Sequence, residues 1–425
     1  MMSGRWWLAA QVTKRLGFRA TLYALIAVVT AVLSIPIGRI LPDNLSNLVG
    51  AGAVESILTI IAASMLAVTT FSLSTLVSAT TAAATSGTPR AISLLLQDQT
   101  AQTALSTFLG AFLFSLVGLI ALNTGLYTGG ARLVLFAGTL AVVILVVTML
   151  LRWIGHLAGL GQVGETIRRV AEAAETAYVN ERRKPCLGGR PLDEIPASAM
   201  PIFHPQTGYV RHLDIALLSS AAETCQMQLY VVQRPGDFCS PNRPILYLLP
   251  DTTGTTILDD LKHDLFRAFA IGYARNFEQD PLFGLTALSE IASHALSRGI
   301  NDPGTAIDVI SQLTRILGHE SGKQSVEPLE PDCPRVHVKK INADDYVEAA
   351  FLAITRDGAG MVEVGLVLQH ALSALATGEG YDFTQAARAM AKTALERGLA
   401  TLAFEDDRAR LLAVHDEESK FGHLG

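Results

Sequence analysis

The sequence predicts a membrane protein with four transmembrane helices followed by a cytoplasmic α+β domain. Three observations carry this prediction: four long uncharged segments, a change to acidic composition after about residue 164, and strand-like alternation of apolar residues between about 200 and 250. The expected organisation is a four-helix transmembrane domain at 1–160, a helical stalk and linker at 161–190, a small β domain at 191–255 and a helical cytoplasmic domain at 256–425. The β domain is expected to be a small barrel or sandwich.

The composition excludes several protein classes. Of the 425 residues, 50% are hydrophobic and 17% are charged, whereas about 25% charged residues is typical of a globular domain. This balance argues against a disordered chain, a coiled coil and a typical soluble enzyme. Residues 1–164 contain 8 Lys or Arg and 3 Asp or Glu, while the rest of the chain contains 25 and 36. A membrane half joined to an acidic soluble half explains this asymmetry, and the acidity argues against nucleic acid as a partner.

Four segments are long enough to cross a lipid bilayer. They are residues 20–38, 56–89, 99–131 and 133–151, and about 20 residues of helix cross the roughly 30 Å hydrocarbon core. Arginine and lysine are concentrated before the first segment and after the fourth, whereas the loops after the first and third segments offer one arginine each. By the positive-inside rule both chain termini and the soluble half are cytoplasmic.

The second segment is rich in hydroxyl side chains. Thr70, Ser74, Ser78, Thr81 and Thr85 recur every three or four residues, so they form one stripe along a helix. Such a stripe is typical of the wall of a water or ion path, where hydroxyl groups replace hydration. The alternative is close helix packing, in which Ser and Thr bond to carbonyls of their own helix. No Asp, Glu, Lys or Arg lies inside any segment, which disfavours a proton-driven transporter.

A group of polar residues surrounds two predicted helix starts in the soluble half. Asp280-Pro281 and Asp302-Pro303 each match an N-cap aspartate followed by proline, which explains both aspartates structurally. The competing hypothesis is a site for a small anion, since helix N-termini with nearby arginines attract anions. The candidate ligand-binding residues are Arg275, Asp280, Arg298, Asn301 and Asp302.

Signatures of enzymes and metal sites are absent from the sequence. It has no G-x-S-x-G, H-E-x-x-H, P-loop or dinucleotide-binding motif. Glu290 and His294 lie one helical turn apart, an arrangement open to a carboxylate-oriented base but more typical of a solvated helix face. The four cysteines have no C-x-x-C spacing, which gives no support to a zinc site or a disulfide framework. We therefore predict that the protein is not an enzyme and has no catalytic residue, cofactor or metal site.

Several stretches resemble a bacterial family of predicted membrane proteins called domain of unknown function 2254. The matching stretches are FSLSTLVSATTAAATSGTPR, QDQTAQTALSTFLGAFLFSLVGL, GYVRHLDIALL, RPGDF and QDPLFGLTALSEIASHALSRGINDPGTAI. The last is the most specific, although Arg298 replaces a proline of the family pattern and His294 a basic side chain. The resemblance implies a multispan protein of the bacterial inner (cytoplasmic) membrane with a cytoplasmic domain, and it implies no particular substrate.

Two functions from different classes fit these observations. In the first, the protein is a homo-oligomeric channel- or transport-like protein, in which the second helix lines the path and the cytoplasmic domain assembles or gates it. In the second, the helices only anchor a sensor whose cytoplasmic domain binds a small anionic ligand or a protein partner. The lipid bilayer and further copies of the chain are the expected partners, with a small anion as an additional candidate.

Overall fold

The computed structural model describes most of the chain. The described residues are 51–86, 90, 99–123, 129–157, 162–251, 259–318, 330–377 and 383–421, with single positions between 21 and 33. The predicted first transmembrane segment, 20–38, therefore lies almost entirely outside the described residues.

Three long apolar helices form one compact unit, here called the membrane unit. They are α1 (Ala51–Ser86), α2 (Gln99–Asn123) and α3 (Gly129–Leu157). Each contains a stretch long and apolar enough to span a bilayer. The second, third and fourth predicted segments are thus helices, while the predicted count of four is not established by the described residues.

The membrane unit packs around large side chains from all three helices. Phe108 of α2 and Trp153 of α3 are fully buried, and Met65 of α1 packs into the same cluster. Between them, small residues of α2 such as Ala104 let the helices approach closely. One face of α1 is therefore fixed against its neighbours, and the opposite face is left outside this packing.

The second unit, here called the α/β unit, consists mainly of Thr166–Gly425. Its first part alternates helices and strands: α4 (Val163–Arg183), β1 (Gly189–Pro191), β2 (Met200–Phe203), β3 (Gly208–Leu213), α5 (Ile215–Thr224), β4 (Met227–Val231), β5 (Phe238–Cys239), β6 (Pro244–Pro250), α6 (Asp259–Arg267) and β7 (Phe269–Gly272). Its second part is mostly helical: α7 (Pro281–Ala295), α8 (Pro303–Gly318), β8 (Cys333–Val338), α9 (Ala343–Asp357), α10 (Val362–Thr377), α11 (Thr384–Thr401) and α12 (Glu405–Phe421).

The strands form two separate sheets. The larger has the order β1-β8-β4-β6-β2, in which β8 is parallel to both β1 and β4 while the pairs β4–β6 and β6–β2 are antiparallel. The smaller has the antiparallel order β5-β3-β7. The described residues contain no closed barrel, which corrects the expectation of a small barrel or sandwich at 191–255. The sheet also takes β8 from residues 333–338, because parallel pairing joins strands that are distant in sequence.

Helix α4, expected as a stalk, packs closely against other elements of the α/β unit. Its buried residues Ile167, Val170, Ala174 and Tyr178 recur at helical spacing. The Tyr178 hydroxyl donates to the Leu317 carbonyl over 3.3 Å. This side of α4 is therefore part of the core of the unit.

Three histidines make the stability of the α/β unit dependent on pH. Burial lowers the pKa of His204, His212 and His337 below the ordinary value of 6.5. Below about pH 6.5 the unfolded chain binds protons that the folded unit excludes, so stability present above that pH is lost as the pH falls. We expect the free energy of unfolding to decrease by up to about 1.4 kcal/mol per pH unit for each histidine.

Urea titrations over a series of pH values, read by labelling of the buried Cys239 thiol, measure this dependence. In the variants His204→Gln and His212→Gln, and most of all in the double variant, the free energy of unfolding should change less with pH. An unchanged slope in the double variant would contradict the assignment to buried imidazoles.

Candidate functional site

The predicted hydroxyl stripe lies on an outer face of α1. Thr70, Ser74, Ser78 and Thr81 are all exposed among the described residues. Thr85 also belongs to α1, but its side chain lies outside the described residues. The four described members therefore share one surface that the other described helices leave open.

The buried face of α1 is on the other side of the helix. Its buried residues are Val54, Leu58, Ile61, Met65 and Ser72. With about 100° of rotation per residue, the centre of the stripe is roughly 160° away from the centre of this face. The stripe therefore points away from the helices of its own chain that the structure describes.

The threonine hydroxyl groups of the stripe donate within α1. Thr70 Oγ1 bonds to the carbonyls of Ala67 and Leu66, at 2.9 and 3.1 Å, and Thr81 Oγ1 bonds to the Val77 carbonyl at 2.9 Å. A hydroxyl whose hydrogen is used in this way presents its remaining lone pairs outward. The outward oxygens can accept hydrogen bonds from water or coordinate a cation, but they offer no donor to an anion.

The five candidate ligand-binding residues divide into two groups. Arg275 and Asp280 lie at the start of α7, whereas Arg298, Asn301 and Asp302 follow its end. Because α7 has 15 residues, a rise of about 1.5 Å per residue separates the two groups by about 22 Å. A small ligand cannot contact both groups at once.

Arg275 and Asp280 form a bidentate ion pair. The Arg275 Nε and Nη2 atoms donate to the two carboxylate oxygens of Asp280 at 2.7 and 2.8 Å. The Asp280 side chain is 3% exposed and also accepts from the Phe283 amide at 3.1 Å as the N-cap of α7. Burial raises the pKa of this carboxyl, and its bonds with Arg275 oppose that effect. The guanidinium group that was a candidate anion ligand is thus occupied by a carboxylate of the chain itself.

Asp302 caps the next helix at the protein surface. Its carboxylate accepts from the Thr305 amide at 3.1 Å and from the Thr305 hydroxyl at 2.6 Å. These hydrogen bonds lower the pKa of Asp302. Arg298 and Asn301 are exposed beside it, and Asn301 adopts a φ of +56°, which asparagine tolerates better than most residues. The geometry of this group is that of a turn leading into an N-cap.

A second buried ion pair, not expected from the sequence, lies next to the first. Arg234 Nη2 donates to Glu181 Oε2 at 2.8 Å, with the two side chains 5% and 9% exposed. Arg234 Nη1 also donates to the Lys339 carbonyl at 3.0 Å. Two residues later, Gly236 packs so closely on Asp280 that a Cβ atom there would lie 2.4 Å from a carboxylate oxygen. Arg234, Glu181, Arg275 and Asp280, together with Gly236, are called the buried charge cluster below.

The buried charge cluster joins stretches that are far apart in sequence. Glu181 ends α4, Arg234 and Gly236 lie in the turn before β5, and Asp280 begins α7. The turn itself is closed by Asp237, which accepts from the Arg234 amide at 3.0 Å. Opposite charges alternate in the cluster, so it holds α4, the turn and α7 in one arrangement.

A sequence profile of the family described as "Predicted membrane protein (DUF2254)" matches residues 13–374. The chain belongs to this family. The match covers the three apolar helices, both sheets and the buried charge cluster, and it ends within α10. The family and the apolar helices together show a membrane protein.

Two mycobacterial proteins are similar to part of the chain. They are the uncharacterized protein Mb1321c of Mycobacterium bovis and the uncharacterized protein Rv1290c of Mycobacterium tuberculosis. Each is 29% identical over 126 residues, which is 28% of this chain and 23% of the relative. The similarity thus spans about a quarter of the length of each relative. No solved structure matches the chain.

Proposed function

We propose that the protein is a homo-oligomeric, channel- or transport-like protein of the bacterial inner membrane, in which α1 lines a path shared between copies. The observation that carries this proposal is the exposed hydroxyl stripe of α1, on the face opposite to its buried residues. No helix that the structure describes in the same chain covers this stripe, and its hydroxyl groups would form no additional hydrogen bonds if they faced lipid. At the centre of a ring of copies it would contact water and ions.

The hydrogen bonds of two threonines in the stripe favour water or small cations as the conducted species. Thr70 and Thr81 donate their hydroxyl hydrogens to α1 carbonyls, which leaves oxygen lone pairs to replace part of a cation's hydration shell. The absence of formal charge inside the segment fits a passive path rather than one coupled to proton movement.

Large apolar residues on both sides of the stripe supply contacts between copies. Phe71 lies on one side and Leu66 and Val77 on the other, and these side chains are 66%, 49% and 56% exposed. Arranged beside a narrow polar stripe, they would seal the edge of a path against lipid by packing on a neighbouring α1. The α/β unit, with the N- and C-termini on the cytoplasmic side, would hold the copies in register.

The alternative, a membrane-anchored sensor of a small anion at the start of α7, has weaker support. Arg275 already donates two hydrogen bonds to Asp280, so a buried carboxylate of the chain itself compensates its charge. The two candidate groups are also separated by the length of α7.

Flux through reconstituted protein tests the proposal. Potassium flux into proteoliposomes should fall at least tenfold in Ser74→Leu, because a leucine would block a narrow path, and severalfold in Thr70→Val, because about one hydrogen bond per copy is lost. Thr80→Val is the matched control. The Thr80 hydroxyl, like that of Thr70, donates to a carbonyl of its own helix, in this case that of Val77, but Thr80 lies well away from the stripe. Equal flux in all three variants and the parent protein would contradict the proposal.

A further inference from the structure

The outer face of α1 extends beyond the hydroxyl stripe towards the start of the helix. With about 100° of rotation per residue, ten positions of α1 lie within about 40° of the direction of the stripe. They are Gly52, Ser56, Ile60, Ala63, Ala67, Thr70, Ser74, Ser78, Thr81 and Thr85. All of them except Thr85, whose side chain lies outside the described residues, are exposed. The stripe is therefore one part of a longer face that runs along most of α1.

Ile60 is the large residue of this face. The other members are glycine, alanine, serine or threonine, whereas Ile60 is an isoleucine that is 64% exposed. Ile60 and Ser78 are 18 residues apart, which is five full turns of a helix, so their side chains leave α1 in the same direction. Isoleucine is branched at Cβ and keeps one preferred χ1 rotamer in a helix. Its side chain therefore projects from the face at a fixed position, and further than the other members do.

The face changes character along the helix axis. Its hydroxyl part begins at Thr70, which is about 15 Å from Ile60 at a rise of about 1.5 Å per residue. Between these two residues the face carries the methyl groups of Ala63 and Ala67. Hydrophobic constrictions close a pore by dewetting, because apolar walls give water no hydrogen bonds. The part of the face from Ile60 to Ala67 therefore differs from the hydroxyl part in its affinity for water.

Packing on the opposite side of α1 fixes the direction of Ile60. Leu58 is fully buried in a cluster with Phe114 of α2 and Leu135 of α3. Gly118 of α2 approaches so closely that a Cβ atom there would lie 3.1 Å from Leu58 Cδ1. A rotation of α1 about its axis would break this packing. Ile60 is therefore held on the outer side of the helix.

We propose that Ile60 forms a hydrophobic constriction in the path lined by α1 and limits the passage of water and cations. This inference rests on the proposed function, because only a ring of copies brings several Ile60 side chains to one axis. In such a ring the isoleucines surround the axis at one level. The small members of the face leave more room on either side of that level.

Potassium flux into proteoliposomes tests the constriction with two opposite substitutions. Ile60→Ser should raise the flux about threefold or more, because the serine side chain is smaller and binds water. Ile60→Trp should lower the flux about tenfold, because the indole ring fills more of the opening. Ile144→Ser is the matched control, since Ile144 of α3 is also an exposed isoleucine, at 62%. This control should conduct as the parent protein does.

Native mass spectrometry of each variant shows whether it assembles with the copy number of the parent protein. Ile60→Ala, a smaller change that should also raise the flux, replaces either variant if that variant does not assemble. The inference would be overturned if the assembled Ile60 variants conduct as the parent does, or if Ile144→Ser raises the flux as much as Ile60→Ser. Equal flux in Ser74→Leu and the parent contradicts the path itself. A flux that responds to Ser74→Leu and not to the Ile60 variants overturns the constriction alone.

Discussion

Replacing Arg234 with methionine is expected to lower the free energy of unfolding of the α/β unit by about 3–5 kcal/mol. The change leaves the Glu181 carboxylate, only 9% exposed, without its 2.8 Å partner. It also removes the bond from Nη1 to the Lys339 carbonyl. An unpaired buried carboxylate costs far more than a lost surface pair, because neither water nor another charge stabilises it.

Urea unfolding, followed by labelling of the buried Cys239 and Cys333 thiols, measures this loss. The control is Arg267→Met, since Arg267 pairs with Asp264 at the surface with both side chains about half exposed; it should cost less than about 1 kcal/mol. The double variant Glu181→Gln, Arg234→Met should recover part of the stability, because no charge is then left unpaired. Equal costs for Arg234→Met and Arg267→Met would contradict a structural role for the buried pair.

Replacing Gly236 with alanine is expected to destabilise the same unit by about 2–4 kcal/mol. Gly236 has a φ of +102°, a conformation that favours glycine. The added methyl group would also lie 2.4 Å from Asp280 Oδ2, so the carboxylate would have to move. Movement of Asp280 would disturb both its pair with Arg275 and the cap of α7.

Gly299→Ala is the control for this substitution. A methyl group at Gly299 would meet nothing within 4 Å, so the change should be neutral or stabilise by about 0.4–1 kcal/mol through the unfolded state. The same thiol-labelling measurement applies to both variants. A Gly236 variant as stable as the Gly299 variant would show that the contact with Asp280 is not required.

Local patterns in the sequence predicted the helices well. The hydroxyl spacing placed Thr70, Ser74, Ser78 and Thr81 on one face of α1, because helical periodicity fixes which residues share a face. The two Asp-Pro pairs correctly indicated the starts of α7 and α8. Both features depend only on residues close together in the sequence: the helical repeat in α1, and an aspartate capping the helix that follows it. Such local features can be read from the sequence.

Long-range pairing was not predictable in the same way. Alternation indicated strands between 200 and 250, but the partners of β4 include β8, which lies about a hundred residues later. A strand pattern shows which side chains share a face of the sheet, but it does not show which other strand pairs with it. The two-sheet arrangement therefore replaced the expected barrel or sandwich.

The buried charge cluster illustrates the same limit at the level of single residues. The sequence Arg234-Pro-Gly-Asp237 indicated a turn, which the structure contains. Nothing near Arg234 in sequence shows that its guanidinium is buried, because its partner Glu181 lies 53 residues earlier. Arginines beside turns are usually exposed, and burial depends on an acidic partner that only the fold supplies.

The number of copies in the assembly tests the central claim most directly. A path lined by the outer face of α1 requires several α1 helices around one axis, and helices about 10 Å wide leave a central opening only when four or more surround it. Native mass spectrometry of the full chain in nanodiscs counts the copies. We expect a closed assembly of four or more chains; a monomer or any smaller assembly would contradict a path lined by the hydroxyl stripe.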